Sequence, residues 1–242
     1  MISRGSILAA AFLAGLAQAA NPVIVELFTS EGCSSCPPAD RVLSRLAGAF
    51  PDIEVIPLSE HVDYWNQLGW QDRFSAPLYS MRQQDYGRVF RLESVYTPEM
   101  VVNGQSEFNG SDEGRAQQEI RKAALSPHAD LEMVMQSKDV VRLKVEHLPQ
   151  GARNVDVFLV ITEMNLETAV RDGENKGRRL RHTGVVRSLS TVGRLETRKA
   201  ALFTADAKLN LHPEWNVDNL KLVLFVQDRS NRKIVGATTL RP

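Results

Sequence analysis

The sequence predicts an α/β domain with parallel strands in a layered sheet, followed by an all-β, sandwich-like domain. Three observations carry that expectation. Apolar, β-branched runs alternate with amphipathic helical patterns through residues 23–126. Beyond Ser126-Pro127 the helical periodicity stops, and short strand-like runs separated by turn signals take over. Cys33 and Cys36, the only two cysteines of the chain, stand at the step from the first apolar run into the first helical pattern.

Residues 1–20 read as an export signal. Arg4 gives a short positive region, and the apolar stretch 7–16 is shorter than the roughly 20 residues that span a bilayer. Ala17-Gln18-Ala19 fits the small-residue cleavage pattern, so the mature chain is expected to start near Ala20 or Asn21. The competing reading is an uncleaved anchor. Cleavage implies a periplasmic or secreted protein with no stable membrane insertion, in a compartment where a disulfide persists. The formal net charge of +0 carries neither a nucleic-acid footprint nor a polybasic membrane surface.

Residues 21–126 form the expected first domain. Residues 23–28 are short, apolar and β-branched, as a buried parallel strand should be. Ala39, Val42, Leu43, Leu46, Ala47 and Phe50 then recur at helical spacing until Pro51-Asp52. Residues 53–58 read as a second strand and residues 75–92 as a second helix. Residues 100–103 and 106–108 form a hairpin about Gly104-Gln105. Ser111 is the expected cap of a last helix, with Asp112 and Glu113 at its positive end.

Residues 127–242 form the expected second domain. Strands are predicted over 131–135, 140–145, 155–161, 184–189, 200–203, 220–226 and 234–240, an antiparallel sandwich pattern. Residues 171–181 are polar and basic and read as a long loop. Two readings stand open for the charged phrase from Asn175 to His182: an ordinary solvated loop, or a face turned to the thiol site or to a partner. His128, His147, His182 and His212 are scattered through this half without ligand spacing.

The chemistry centres on Cys33-Ser34-Ser35-Cys36. Two thiols three positions apart at a helix start make a redox pair, one sulfur attacking and the other releasing the product. The helix N-terminus favours the Cys33 thiolate, while Glu31 and Asp40 oppose it. The expected Cys33 pKa is therefore only moderately below the free value of about 8.5. Pro37-Pro38 belong in a first helical turn, which puts the helix start at Ser35 or Cys36. Cys33 is then the accessible sulfur and Cys36 the buried one. Thr97-Pro98, just before a strand, fits a cis peptide whose backbone meets an incoming chain.

These residues resemble the thioredoxin superfamily, with Cys-x-x-Cys after the first strand and Thr-Pro before a hairpin. More narrowly, residues 25–40, His61-Val62-Asp63-Tyr64-Trp65 and residues 96–104 resemble a family of secreted bacterial proteins, domain of unknown function 1223. The resemblance implies a thioredoxin-like N-terminal domain and no established substrate. The chain departs from thioredoxin itself in having Ser-Ser between the cysteines and no tryptophan before them. Glu26 stands near the place of the buried acid that handles the second cysteine's proton in thioredoxins. An exposed or salt-bridged glutamate is the alternative.

His61 and Asp63 follow the second strand, at the sheet edge where ligands of open α/β sheets bind. They are candidates for poising the thiolate or contacting substrate. The bland alternative gives them loop hydrogen bonds while Tyr64, Trp65 and Trp70 pack over the sheet. Arg82, Gln83, Tyr86 and Arg88 are expected on a solvated helical face.

The leading function is thiol–disulfide exchange with exported protein thiols or disulfides and an unidentified redox partner. Cys33 and Cys36 are catalytic, Thr97 and Pro98 dock substrate, and no cofactor is implied. A copper-binding reading would use Cys33, Cys36 and His61, because soft thiolates suit Cu(I). A third reading makes the pair a structural bridge in a binding module.

Overall fold

A computed structural model describes residues 20–196 and 202–242. The export-signal features at Arg4, 7–16 and 17–19 lie outside the described residues, as do Ala200 and Ala201 of the strand expected over 200–203. Among the described residues no helix is long and apolar enough to cross a membrane.

The first half runs β1 (Val23–Thr29), α1 (Cys36–Leu46), β2 (Val55–His61), α2 (Pro77–Phe90), β3 (Glu99–Val102), β4 (Ser106–Asn109) and α3 (Glu113–Ala124). The second half runs β5 (Asp130–Ser137), β6 (Val140–Glu146), β7 (Asn154–Glu163), β8 (Leu166–Ala169) and β9 (Arg179–His182). It ends with β10 (Val185–Glu196), β11 (Phe203–Lys208), β12 (Leu220–Asp228) and β13 (Ile234–Leu240). β8 and β9 are a hairpin the sequence did not announce, and β9 starts inside the expected loop 171–181 and runs one residue past it.

Local chemistry explains the helices. α1 buries Ala39, Val42, Leu43 and Leu46, the i, i+3, i+4, i+7 stripe. α3 is capped by Asp112 and not by Ser111: the Asp112 carboxylate accepts the Arg115 N–H at 3.0 Å. β1 and β2 are buried at every position, which is why they read as continuous apolar runs.

The fold class differs from the expectation. No thioredoxin-like α/β domain stands apart from a β-sandwich. One eight-stranded mixed sheet takes strands from both halves, in the order β13-β12-β7-β10-β2-β1-β3-β4. β1 and β2 are parallel, and β3 returns antiparallel to β1. The halves join where β10 runs parallel to β2 through Val185 and Ser59, with the Ser59 N–H donating to the Gly184 carbonyl at 2.8 Å. The separate sheets β11-β6-β5 and β8-β9 are smaller. The sequence concealed the joint because β2 and β10 carry apolar residues that suit either a domain edge or a sheet centre.

Both faces of the large sheet are covered. On one, Val23, Val25 and Leu27 of β1 pack on α1 and α3. On the same side in the second half, Val155, Val157 and Leu159 of β7 and Leu222 and Leu224 of β12 meet Val141, Leu143 and Val145 of β6. On the opposite face Ile24, Ile56 and Leu58 are continuous with Phe158, Val160, Val223 and Phe225, so one apolar layer crosses the joint. α2 lies on that layer, and its Tyr79 hydroxyl donates to the Val186 carbonyl of β10 at 2.7 Å.

The joint requires Gly184. Its φ is +66°, and a Cβ there would sit 2.3 Å from the Pro57 carbonyl oxygen. Gly184→Ala should lower stability by about 2 kcal/mol or more, through left-handed strain plus a backbone clash. Urea unfolding of the two proteins at one pH measures the difference.

Candidate functional site around the disulfide

β1 ends at Thr29, and the chain turns through Ser30, Glu31 and Gly32 into the cysteines. The Ser30 hydroxyl accepts the Gly32 N–H at 3.1 Å and the Ser30 carbonyl accepts the Cys33 N–H at 3.2 Å. α1 begins at Cys36 with Ser35 as N-cap and the prolines in its first turn, as their missing N–H groups demand. Cys33 and Cys36 form a disulfide with Cα atoms 5.4 Å apart. The Ser35 hydroxyl does not cap the helix. It lies 3.3 Å from Cys33 Sγ and 3.5 Å from the Thr97 carbonyl oxygen, so Thr97-Pro98 faces the disulfide across one side chain. The Thr97–Pro98 peptide is cis, and Trp65 Nε1 donates to Thr97 Oγ1 at 2.9 Å.

Cys33 is not the accessible sulfur the helix start suggested: both cysteines are fully buried, while Ser34 and Ser35 are exposed. The cover comes from the excursion between β8 and β9. Asn175, itself fully buried, donates from Nδ2 to the carbonyl oxygens of Glu31 and Cys33, each at 2.8 Å. Glu174 accepts the Ser34 N–H at 3.0 Å. The basic segment is thus turned to the thiol site at Glu174 and Asn175, with Arg178 Nη1 donating to Asn175 Oδ1 at 2.9 Å, while Lys176 and Arg179 are exposed.

Beneath the disulfide lies a buried ionisable cluster. His61 Nδ1 is 2.6 Å from Asp72 Oδ2, and that carboxylate also accepts the N–H groups of Glu31 and Phe74, both at 2.9 Å. Trp70 Nε1 donates to Glu31 Oε2 at 2.7 Å, and His182 Nε2 stands 3.3 Å from Glu31 Oε1. The His61 and His182 rings meet edge to face with centroids 4.9 Å apart. Burial alone would lower the His61 pKa; the charges of Asp72, Asp40 and Glu31 reverse that, and the net shift is upward. Asp40, hydrogen-bonded by Thr29 Oγ1 at 3.0 Å, is pushed up by burial against the pull of His182 and His61.

His61 therefore belongs to the site, held by Asp72. Asp63 does not: it accepts from the Ser80 hydroxyl on α2 and stays partly exposed. Among the described residues no group of three or more His, Cys, Asp or Glu side chains is arranged to hold a metal ion. The sequence reading missed Asp72 as a member of the site; Asn175 and His182 lie in the phrase left open as a face toward the thiols, without a role for either. Glu31 and Asp40 were visible only as local acids, and no spacing marks residues that converge from separate loops.

Glu26 is removed from Cys36. In β1 it points away from α1, to the α2 face, since successive strand residues alternate. There Arg82 Nε donates to Glu26 Oε1 at 2.5 Å, and Tyr86 Oη donates to Glu26 Oε2 at 2.5 Å. The helical face expected to be solvated buries Arg82, Gln83 and Tyr86; Arg88 alone of the four is exposed. Arg82 also reaches Gln227 Oε1 of β12 at 3.1 Å, and its guanidinium lies over the rings of Phe158 and Phe225. Glu60 beside this network is pushed well up by burial and by the neighbouring Glu26 charge.

Glu99, on the same face, accepts from Gln83 Nε2 at 2.7 Å, and burial pushes its carboxyl up to about 8. A raised acid stabilises the fold while it holds its proton. Its contribution is complete below the unfolded value of 4.5 and is lost as pH climbs through 8. Glu99→Gln should therefore flatten the loss of stability between about pH 5 and pH 9, read from urea midpoints at each pH.

A mixed-sheet protein with a covered Cys-x-x-Cys disulfide is the class that fold and site define. The chain belongs to the family described as protein of unknown function (DUF1223), whose model matches residues 24–227. A protein from Agrobacterium tumefaciens, solved by X-ray crystallography in a structural-genomics programme, is similar over 93% of this chain and 96% of that chain, at 26% identity and a TM-score of 0.71. A domain of the outer membrane lipoprotein Omp28 from Porphyromonas gingivalis is a distant likeness: 11% identity, 48% of this chain, 88% of that chain and a TM-score of 0.24. No curated protein matches the chain.

Proposed function

We propose that the chain is an exported thiol–disulfide oxidoreductase whose Cys33–Cys36 pair exchanges with thiols and disulfides of another exported protein. The observation that carries this reading is the disulfide at the N-terminus of α1, with Thr97-Pro98 one serine side chain away. Locally this is the chemistry of the thioredoxin superfamily, set at the edge of a different sheet.

A structural bridge is the weaker reading, because a loop this short restricts little of the unfolded chain. Closing four residues contributes about 2 kcal/mol on the chain-entropy relation, against roughly 4.7 for a 100-residue loop. The buried acids and imidazoles beneath the bridge have no part in a bridge that only braces the fold.

In the exchange, a partner thiolate attacks one sulfur and displaces the other, and a second partner thiolate then resolves the mixed disulfide. When the disulfide is opened, Cys36 leaves as a thiolate and needs a proton donor; when it closes again, the Cys36 thiol needs an acceptor. Asp40 takes the role that the sequence gave to Glu26. It lies one helical turn beyond Cys36 on the same buried face, at a spacing that sets Cβ atoms about 5–6 Å apart. Burial raises its pKa above the ordinary carboxylate value, the direction that favours holding a proton for transfer.

Thiol trapping of the mature protein in glutathione buffers tests the function. A potential between about −270 and −120 mV, with exchange lost in Cys33→Ser, is the expected result. A far lower potential with no exchange makes the bridge structural. Asp40→Asn should slow exchange about 100-fold and shift its pH profile without changing the potential's sign relative to glutathione.

A further inference from the structure

The cover over the disulfide is itself charged, and that charge sits where a thiolate would form. The segment between β8 and β9 is compact: Val170 N–H donates to the Arg178 carbonyl at 2.9 Å, Gly177 N–H to the Val170 carbonyl at 2.9 Å, and Arg178 N–H to the Asn175 carbonyl at 3.0 Å. It meets the cysteine turn through two side chains, Asn175 on the Glu31 and Cys33 carbonyls and Glu174 on the Ser34 N–H. With both sulfurs at zero exposure, a partner thiolate or a small reductant reaches the disulfide only when these contacts open transiently.

In the disulfide the sulfurs are neutral, and the Glu174 carboxylate holds the Ser34 N–H just ahead of α1. Its pKa is lowered by its hydrogen bonds to Ser34. Reduction changes the occupant. A dithiol partner gives up two electrons: one partner thiolate breaks the Cys33–Cys36 bond and the second resolves the mixed disulfide. The partner leaves as its own disulfide, Cys33 remains as thiolate, Cys36 as thiol, and one proton goes to solvent. The new charge sits one residue before Ser34, whose N–H the Glu174 carboxylate holds. Glu31 and Asp40 lie beneath and add negative charge; among the basic groups, His61 and His182 are engaged with Asp72 and Glu31, Arg178 Nη1 is held by Asn175 Oδ1 at 2.9 Å, and Lys176 is drawn outward to Asp172 at 3.7 Å.

We infer that Glu174 and Asn175 form a redox-sensitive cover, closed over the disulfide and expelled by the Cys33 thiolate, so that the reduced form is the one open to a partner protein. This rests on the exchange reading above.

Hydrogen exchange by mass spectrometry on the full mature chain tests it. The oxidised protein is compared with protein reduced by a phosphine, which is then removed without air. The amides of residues 175–178 should exchange about tenfold faster in the reduced form, while those of β7 and β12 stay unchanged. Glu174→Gln should bring the two forms within about twofold. The Cys33→Ser, Cys36→Ser double variant, which breaks the bridge without making a charge, should stay as protected as the oxidised protein.

Equal exchange in oxidised and reduced protein overturns the inference, and so does opening of the double variant or opening undiminished in Glu174→Gln. Phosphine reduction keeps this test apart from the glutathione test. A disulfide inert to glutathione defeats the exchange reading whatever the cover does, and a cover that stays shut over an exchanging pair defeats only the cover.

Discussion

The structure hangs on the joint between β2 and β10. There the Ser59 N–H reaches the Gly184 carbonyl, and the chain passes so close to Pro57 that only glycine fits. That contact turns two groups of strands into one sheet. It lets a single apolar layer run from Ile24 to Phe225, and it seats α2 across both halves. It also fixes β9, which ends two residues before Gly184 puts the chain into β10. The covering segment is suspended from the joint, and the geometry of the disulfide site is inherited from it.

The polar interior follows from the same arrangement. A sheet covered on both faces leaves no solvent for the charges of β1, β2 and β3, so each must find a partner inside. Arg82 answers Glu26 directly, and Tyr86 and Gln227 complete the shell. On the other side of β2's end, His61, Asp72, Glu31 and His182 answer one another under the cysteines. These groups come from both halves of the chain. Removing one partner leaves a buried charge exposed to its full desolvation cost, so such networks tie the halves together more specifically than apolar contact does.

How much of this was legible depends on how local the signal was. The helix start at Cys36 follows from Pro37-Pro38, and the hairpin from Gly104. The family was readable from contiguous motifs around Cys33, His61 and Thr97. The sheet was not. Val185 pairing with Ser59 is a contact across more than half of the chain, and apolar strands do not name their neighbours. Arg82 and Tyr86 looked solvated because a helix with polar residues all round gives no inward stripe; their burial depends on Glu26 and Gln227, residues far away in sequence. Asn175 and Glu174 lay in a segment whose basic neighbours suggested solvent. The two that matter are the uncharged amide and the acid.

The late arrival of β10 has a consequence for synthesis. Residues 23–124 can form β1 to β4 and their helices as soon as they emerge, yet the outer edge of β2 then has no partner. Its backbone N–H and C=O groups, flanked by apolar side chains, remain a template for any passing strand until residue 185 is available. The period of greatest exposure to aggregation therefore falls between completion of the first half and docking of β10. A chaperone that holds β2 would protect the chain through that interval.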